Sequence, residues 1–73
     1  MVPHTISEDA EIVVGEGAYV QNRSTGTVEM CPQGGDHGFI IPAFNQAVFI
    51  ETGGTYTFKP RQNRTAIIGV YVL

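Results

Sequence analysis

The side chains of this sequence that could do chemistry are few, and most of them lie in or beside one glycine-rich segment. Cys31, Asp36 and His37 could bind a metal ion, with His4 as a further ligand. Zinc sites usually combine paired ligands such as C-x2-C and H-x3-H, whereas here the cysteine and each histidine are single residues. The pattern favours polar loop residues over a metal site, although His37 could still act as a surface contact. We expect no cofactor.

Motifs for nucleotide binding and covalent catalysis are incomplete. Gly15-Glu16-Gly17 begins like the dinucleotide motif G-x-G-x-x-G, but Val20 stands where the third glycine would be. Neither of the serines lies in a G-x-S-x-G motif. Cys31 and His37 could form a thiolate pair, yet a cysteine that ends a strand before a proline is more often a small buried side chain. The sequence therefore predicts a protein that is not an enzyme.

Positive charge is concentrated towards the end of the chain. Lys59, Arg61 and Arg64 are three of only four Lys and Arg residues, against seven Asp and Glu. Together with Tyr56 and Phe58, such a group could bind single-stranded nucleic acid. Because the net charge is −3 and the two rings alternate as core residues do, we instead expect the arginines to meet acids of a neighbouring copy or a host surface. We expect no nucleic-acid partner.

The elements that must position these residues belong to one small domain. A chain of 73 residues is near the lower limit for independent folding, and its one cysteine excludes an intramolecular disulfide. No secretory leader is visible, and no apolar stretch approaches the ~18 residues of a membrane span. We therefore expect a protein made in a reducing cytoplasm, with no membrane partner.

Strand patterns fill most of the chain, and helix signals are nearly absent. We assign residues 1–10 to an N-terminal arm, a turn or extended segment, and residues 11–73 to a single β domain. Thr52-Gly53-Gly54 has the composition of a hairpin-like turn. About seven or eight short strands in an all-β, antiparallel sandwich or a partly closed barrel are expected. The clearest strand segments are 11–14, 18–22, 27–31, 39–41, 47–51, 55–59 and 65–73.

Several of these strands are apolar on both faces, notably residues 39–41, 47–50 and 67–73. A strand with one solvent-exposed face should carry a polar residue at every second position. A sandwich of this size has one interior, which can bury only one face of each strand. The other apolar face must therefore be buried against another surface. The alternative is a tightly curled barrel in which both faces belong to the core.

The small size of the chain also indicates association with another molecule. Below about 70–80 residues, one core seldom supplies more than ~3–5 kcal/mol without a disulfide, a metal or association. We therefore expect assembly with sister subunits or with a larger body. The expected interface residues are Phe39, Ile41, Phe49, Arg61, Arg64, Tyr71 and Leu73.

Three segments have the strand, Asn, Ser and turn patterning of a known class of small β modules: Val14–Ser24, Thr27–Met30 and Ala47–Tyr56. In these segments the chain resembles small all-β accessory proteins of bacteriophage virions, such as capsid decoration or cement proteins and head or neck components. The resemblance implies a non-enzymatic structural role in the virion. It implies many copies, made in the host cytoplasm, bound to one another or to the major capsid protein.

Two other functions stay open on the residues alone. A ligand- or glycan-binding module could use the loop Gln33–Gly38 with Tyr19 or Tyr56, although the chain has no Trp and only 10% aromatic residues. An inhibitor of a host nucleic-acid enzyme could use acidic residues as a phosphate mimic, which a net charge of −3 makes less favourable.

Overall fold

A computed structural model describes residues 2–35, 38–61 and 65–72. These residues form eight strands: β1 (Val2–Ile6), β2 (Ala10–Val14), β3 (Ala18–Asn22), β4 (Val28–Pro32), β5 (Phe39–Ile41), β6 (Gln46–Ile50), β7 (Gly54–Pro60) and β8 (Ala66–Val72). No helix that could cross a membrane occurs in these ranges.

The strands form two four-stranded antiparallel sheets, which confirms the predicted all-β sandwich. Sheet I has the strand order β1-β8-β3-β6, and sheet II has the order β2-β7-β4-β5. A closed barrel, the other architecture that the sequence allowed, is not formed.

The core lies between the sheets and follows the alternation of the strands. Sheet I contributes alternate residues of β3 and β8, such as Val20 and Ile68, which are fully buried. Sheet II contributes Met30, Ile41 and Phe58, also fully buried. Because side chains alternate between the faces of a strand, the residues between these buried ones define the outer face of each sheet.

The arm expected at residues 1–10 is largely a strand, so that boundary was wrong. β1 pairs with β8 from Val2↔Val70 to Ile6↔Ala66, and Ile6 is buried. Pro3 lies on this strand because β1 is at the edge of sheet I, where a residue without an N–H is tolerated. Only the bend after Ile6 matches the expected turn.

The expected hairpin at Thr52-Gly53-Gly54 is also not formed. β6 belongs to sheet I and β7 to sheet II, so this segment carries the chain from one sheet to the other. Gly53 lies against the bend between β2 and β3: a Cβ added to it would be 2.7 Å from the Glu16 backbone nitrogen. The glycine is therefore required by close packing of two backbone segments.

Candidate interaction surface

A row of three aromatic residues crosses the outer face of sheet I, on adjacent strands β8, β3 and β6. Tyr19 pairs in register with Tyr71 on one side and with Phe49 on the other. Tyr19 is 44% exposed and Phe49 is 49% exposed, whereas Tyr71 is half-buried. The Tyr19 and Phe49 ring centroids are 5.1 Å apart, with the ring planes tilted by 58°. We call the outer side of sheet I the aromatic face.

The next row along the strands is low, because two of its three residues have little or no side chain. Gly69, Gln21 and Ala47 pair in register across the same three strands. Rows on one face of a sheet are two residues, or ~6.8 Å, apart along the strand direction. The aromatic face thus consists of a ridge of rings beside a lower row, which we call the groove, in which Ala47 is exposed, Gln21 is half-buried and Gly69 is buried.

The side chain of Gln21 links the strands of this surface, because its amide oxygen and its amide nitrogen both form hydrogen bonds. The Tyr71 hydroxyl donates to Gln21 Oε1 at 2.7 Å, and Gln21 Nε2 donates to the Asn45 carbonyl at 3.0 Å. These bonds link β8, β3 and the turn before β6. These bonds fix the Tyr71 ring. Because the Gln21 amide oxygen and nitrogen are both hydrogen-bonded within the chain, the amide is better suited to burial under an apolar partner surface than to binding a polar ligand.

The aromatic face carries no charged residue on its strands within the described ranges, and opposite charges lie at its two ends. Arg23 follows β3, where its backbone N–H donates to the Ile67 carbonyl at 2.8 Å. Glu51 follows β6 at the other end, where its carbonyl accepts from Gly17 N at 3.3 Å. Both residues are exposed.

The outer face of sheet II mixes charged and apolar side chains. Glu29 on β4 pairs in register with Lys59 on β7 and forms an ion pair with Arg61. Val13 and Ile40, on the two edge strands of this sheet, are 75% and 50% exposed. The two outer faces therefore differ in chemistry, because the described strands of sheet I carry a row of rings and no charged residue.

A turn between β5 and β6 presents a further exposed aromatic residue, away from the aromatic row. Phe44 and Asn45 have φ values of 65° and 67°, which are uncommon for residues other than glycine, and Phe44 is 72% exposed. The backbone is tied in place: Phe44 N donates to the Ser24 carbonyl at 3.1 Å, and Asn45 N donates to the Asn22 carbonyl at 2.9 Å.

Asn22 is the buried polar residue on which this turn is built. Its Nδ2 donates to the carbonyls of Gly26 and Ile41, each at 2.9 Å, and to that of Pro42 at 3.3 Å. Its Oδ1 accepts from the Ser24 N–H at 3.1 Å and from the Ser24 hydroxyl. Such a fully satisfied network ties β3 to the strand and turn that lead into β6.

The structure brings together only some of the residues predicted to form an interface. Phe49 and Tyr71 lie in the same row of the aromatic face, as a shared surface requires. Phe39 is 40% exposed but belongs to β5 of sheet II. Ile41 is wrong as an interface residue, because its side chain is fully buried in the core.

Of the charged and terminal members of the predicted interface, the structure describes only Arg61. It was expected to meet an acid of another molecule, but it pairs with Glu29 of its own chain. Arg64 and Leu73 lie outside the described residues. The sequence interpretation did not include the exposed residues Tyr19 and Phe44 in the expected interface. The alternation of Ala18–Asn22 could have revealed Tyr19, since that ring stands between two inward residues.

Both rings of the basic and aromatic cluster near residue 59 face the core. Phe58 is fully buried, and Tyr56 packs against the core, with its hydroxyl donating to the Thr52 carbonyl at 3.0 Å. Lys59 and Arg61 both lie next to Glu29, which partly neutralises them.

The two parts of the expected glycan site are separated. The loop that begins at Gln33 leaves β4 of sheet II, whereas Tyr19 lies on the outer face of sheet I. Tyr56 is close to the loop in register, opposite Pro32, but is half-buried. Asp36 and His37 of the loop lie outside the described residues.

Cys31 is a free, buried cysteine, as expected from its place at the end of a strand. Its partner in the proposed thiolate pair, His37, lies outside the described residues. Within the ranges that the structure covers, no group of three or more His, Cys, Asp and Glu side chains could hold a metal ion.

Comparisons with protein-family models, with curated proteins and with solved structures found no match to this chain.

Proposed function

We propose that this protein is a non-enzymatic structural component that works by assembly, with the aromatic face as the surface that it buries. The observation that carries the proposal is the uncharged band containing Tyr19, Phe49 and Tyr71, flanked by exposed Ala47 and Ile67. A contiguous apolar patch of this kind on a soluble domain is typical of an interaction site. Enrichment in Tyr and Phe is typical of the centre of protein interfaces.

The ring geometry favours a protein partner over a glycan. A sugar ring packs on aromatic rings that present parallel open faces, whereas Tyr19 and Phe49 are tilted by 58° and pack against each other. The polar groups beside them are also engaged, since both ends of the Gln21 amide are bonded within the chain. A glycan site needs free donors and acceptors around its rings to fix the orientation of the sugar.

We extend the proposal to a bacteriophage virion, with the major capsid protein as the larger partner. Three features support this step: the resemblance to small all-β virion accessory proteins, the compact sandwich, and the exposed Phe44 on a tightly bonded turn. In this role the protein would be made in the host cytoplasm and would stabilise the head by joining capsid subunits. Burial of apolar surface, rather than any reaction, supplies its effect.

The test is co-purification with assembled particles. The tagged chain is expressed together with its genomic neighbours, and particles are banded by density-gradient centrifugation. We expect the chain in the particle band in fixed proportion to the major capsid protein. Its absence from well-formed particles, with the protein folded and present in the lysate, would rule out the virion role.

A further inference from the structure

We propose that the aromatic face is covered by a second copy of this chain, related to the first by a two-fold axis that runs parallel to the aromatic row. This inference rests on the proposed assembly function and specifies its partner. It follows from three properties of the face: the order of its rows, the placement of its charges and its size.

The order of the rows makes the surface complementary to itself. The ridge of Tyr71, Tyr19 and Phe49 lies directly beside the groove formed by Gly69, Gln21 and Ala47. A two-fold axis in the plane of contact, parallel to both rows and between them, lays the ridge of each copy over the groove of the other. Shape complementarity of this kind is needed to exclude water from an interface core.

The same axis also brings opposite charges together. It reverses the strand direction of the second copy, so the end of the face that carries Arg23 in one copy meets the end that carries Glu51 in the other. The two residues belong to neighbouring strands, ~4.8 Å apart laterally, which is within reach of an arginine side chain. Because the contact is isologous, the pair occurs twice in the dimer.

The size of the face suits one copy of the chain. The Cα extents are 28 × 26 × 16 Å, so the molecule is a slab. Packed sheets lie ~10 Å apart, which places their stacking along the thin dimension. The rectangle that encloses the broad side is ~700 Å², of the same order as the ~800 Å² per partner of a standard specific interface. A second sandwich has a broad side of the same dimensions, which allows the whole apolar band to be covered.

The first test replaces one residue on each outer face. Phe49 and Ile40 are 49% and 50% exposed, and each lies on an edge strand, one in sheet I and one in sheet II. We expect wild-type protein and Ile40→Glu to have twice the monomer mass by analytical ultracentrifugation. Phe49→Glu should raise the dissociation constant by about 100-fold or more, since a buried charge enters the interface twice. Equal dimer stability of the two variants would overturn the proposal.

Ala47→Glu provides a second variant in case Phe49→Glu fails to fold. Ala47 is exposed in the single chain, so a longer side chain is accommodated there, but in the dimer it would occupy the groove. We expect Ala47→Glu to keep the circular dichroism spectrum of the wild type and to be monomeric. A dimeric Ala47→Glu protein would contradict the ridge-in-groove arrangement.

A charge exchange tests the two-fold axis itself. Arg23→Glu and Glu51→Arg should each weaken the dimer by about tenfold, because each places like charges opposite one another. The double variant should restore the wild-type dissociation constant. Arg23 also has contacts within its own chain, so the loss of those contacts could weaken the Arg23→Glu variant by itself. The double variant is therefore the decisive one: if it does not recover the wild-type dissociation constant, the proposed axis is wrong.

The outcomes separate the dimer from the virion role. A wild-type protein that is monomeric at every concentration but bands with particles would overturn the dimer and leave the assembly function standing. A dimer that never enters particles would overturn the virion role and leave the self-association standing.

Discussion

At the scale of single residues, Asn22 links several segments of the fold. It is fully buried, and its amide nitrogen donates to three carbonyls, while its oxygen accepts two bonds from Ser24. An amide can serve all these groups because it combines donors and an acceptor on one short side chain.

We predict that Asn22→Ala lowers the free energy of unfolding by about 2–4 kcal/mol, because it leaves several buried backbone groups unsatisfied. Urea denaturation followed by circular dichroism measures this change. Gln46→Ala, at an exposed residue paired with Asn22 across the β3–β6 ladder, is the control and should change stability by less than about 0.5 kcal/mol. Similar effects of the two substitutions would contradict the importance of the buried network.

Phe44 presents the opposite case, a residue retained at a cost in stability. Its φ of 65° is strained for a side chain with a Cβ, and at 72% exposure it contributes little to the core. Strain of this kind is retained mainly where a residue has a function. An aromatic side chain held in solvent on a rigid turn is consistent with contact to a partner.

We predict that Phe44→Gly raises the stability of the monomer by about 0.5–1 kcal/mol, since glycine adopts a positive φ without strain. Phe44→Ala, which keeps the Cβ, should give no such gain. Thermal unfolding of the variants in the Ala47→Glu background, which we expect to be folded and monomeric, measures this without interference from assembly. Equal stability of the glycine and alanine variants would show that the turn is not strained.

At the scale of elements, the sequence was sufficient for most strands because their patterns are local. Alternation and flanking Gly or Pro placed β3 and β5 with the bounds seen in the structure and the others to within one residue or two. β1 was missed because five residues containing Pro3 and His4 carry little strand signal of their own. Its strand conformation is set by pairing with β8, a contact with the far end of the chain.

The candidate surface was predictable only in part, for a related reason. The apolar second faces of β6 and β8 are visible in the sequence, and Phe49 and Tyr71 do lie on one surface. That Tyr19 lies between them depends on the order β8-β3-β6, which no local pattern contains. The place of Ile41 in the core and the pairing of Arg61 with Glu29 likewise follow from the order β4-β5 and β7-β4.

Gly53 lies where the connection between β6 and β7 packs against the connection between β2 and β3. We predict that Gly53→Ala destabilises the protein by about 1–3 kcal/mol, because the new Cβ would meet backbone atoms that cannot give way independently. Gly15→Ala is the matched control: its nearest contact is the Val72 side chain at 3.3 Å, which can shift. Chemical denaturation of both variants measures the difference. A loss no greater for Gly53→Ala than for Gly15→Ala would contradict the close approach.

At the scale of the whole molecule, the protein is a slab with two unlike faces. The outer face of sheet II carries the Glu29–Arg61 pair and Lys59 beside the exposed Val13 and Ile40, whereas the outer face of sheet I carries rings and small residues. One thin core between two sheets supplies limited stability, so covering the second apolar face adds to it. If the proposed assembly forms, we expect folding to be coupled to it, so that stability rises with protein concentration.

The most direct measurement of this account is solvent access to the two faces of the assembled protein. Phe49 and Ile40 are almost equally exposed in the single chain, so a soluble paramagnetic agent should broaden their side-chain NMR signals equally at high dilution. As the concentration rises, we predict that the Phe49 ring becomes protected while Ile40 stays accessible. Equal broadening of both signals at every concentration would show that nothing covers the aromatic face.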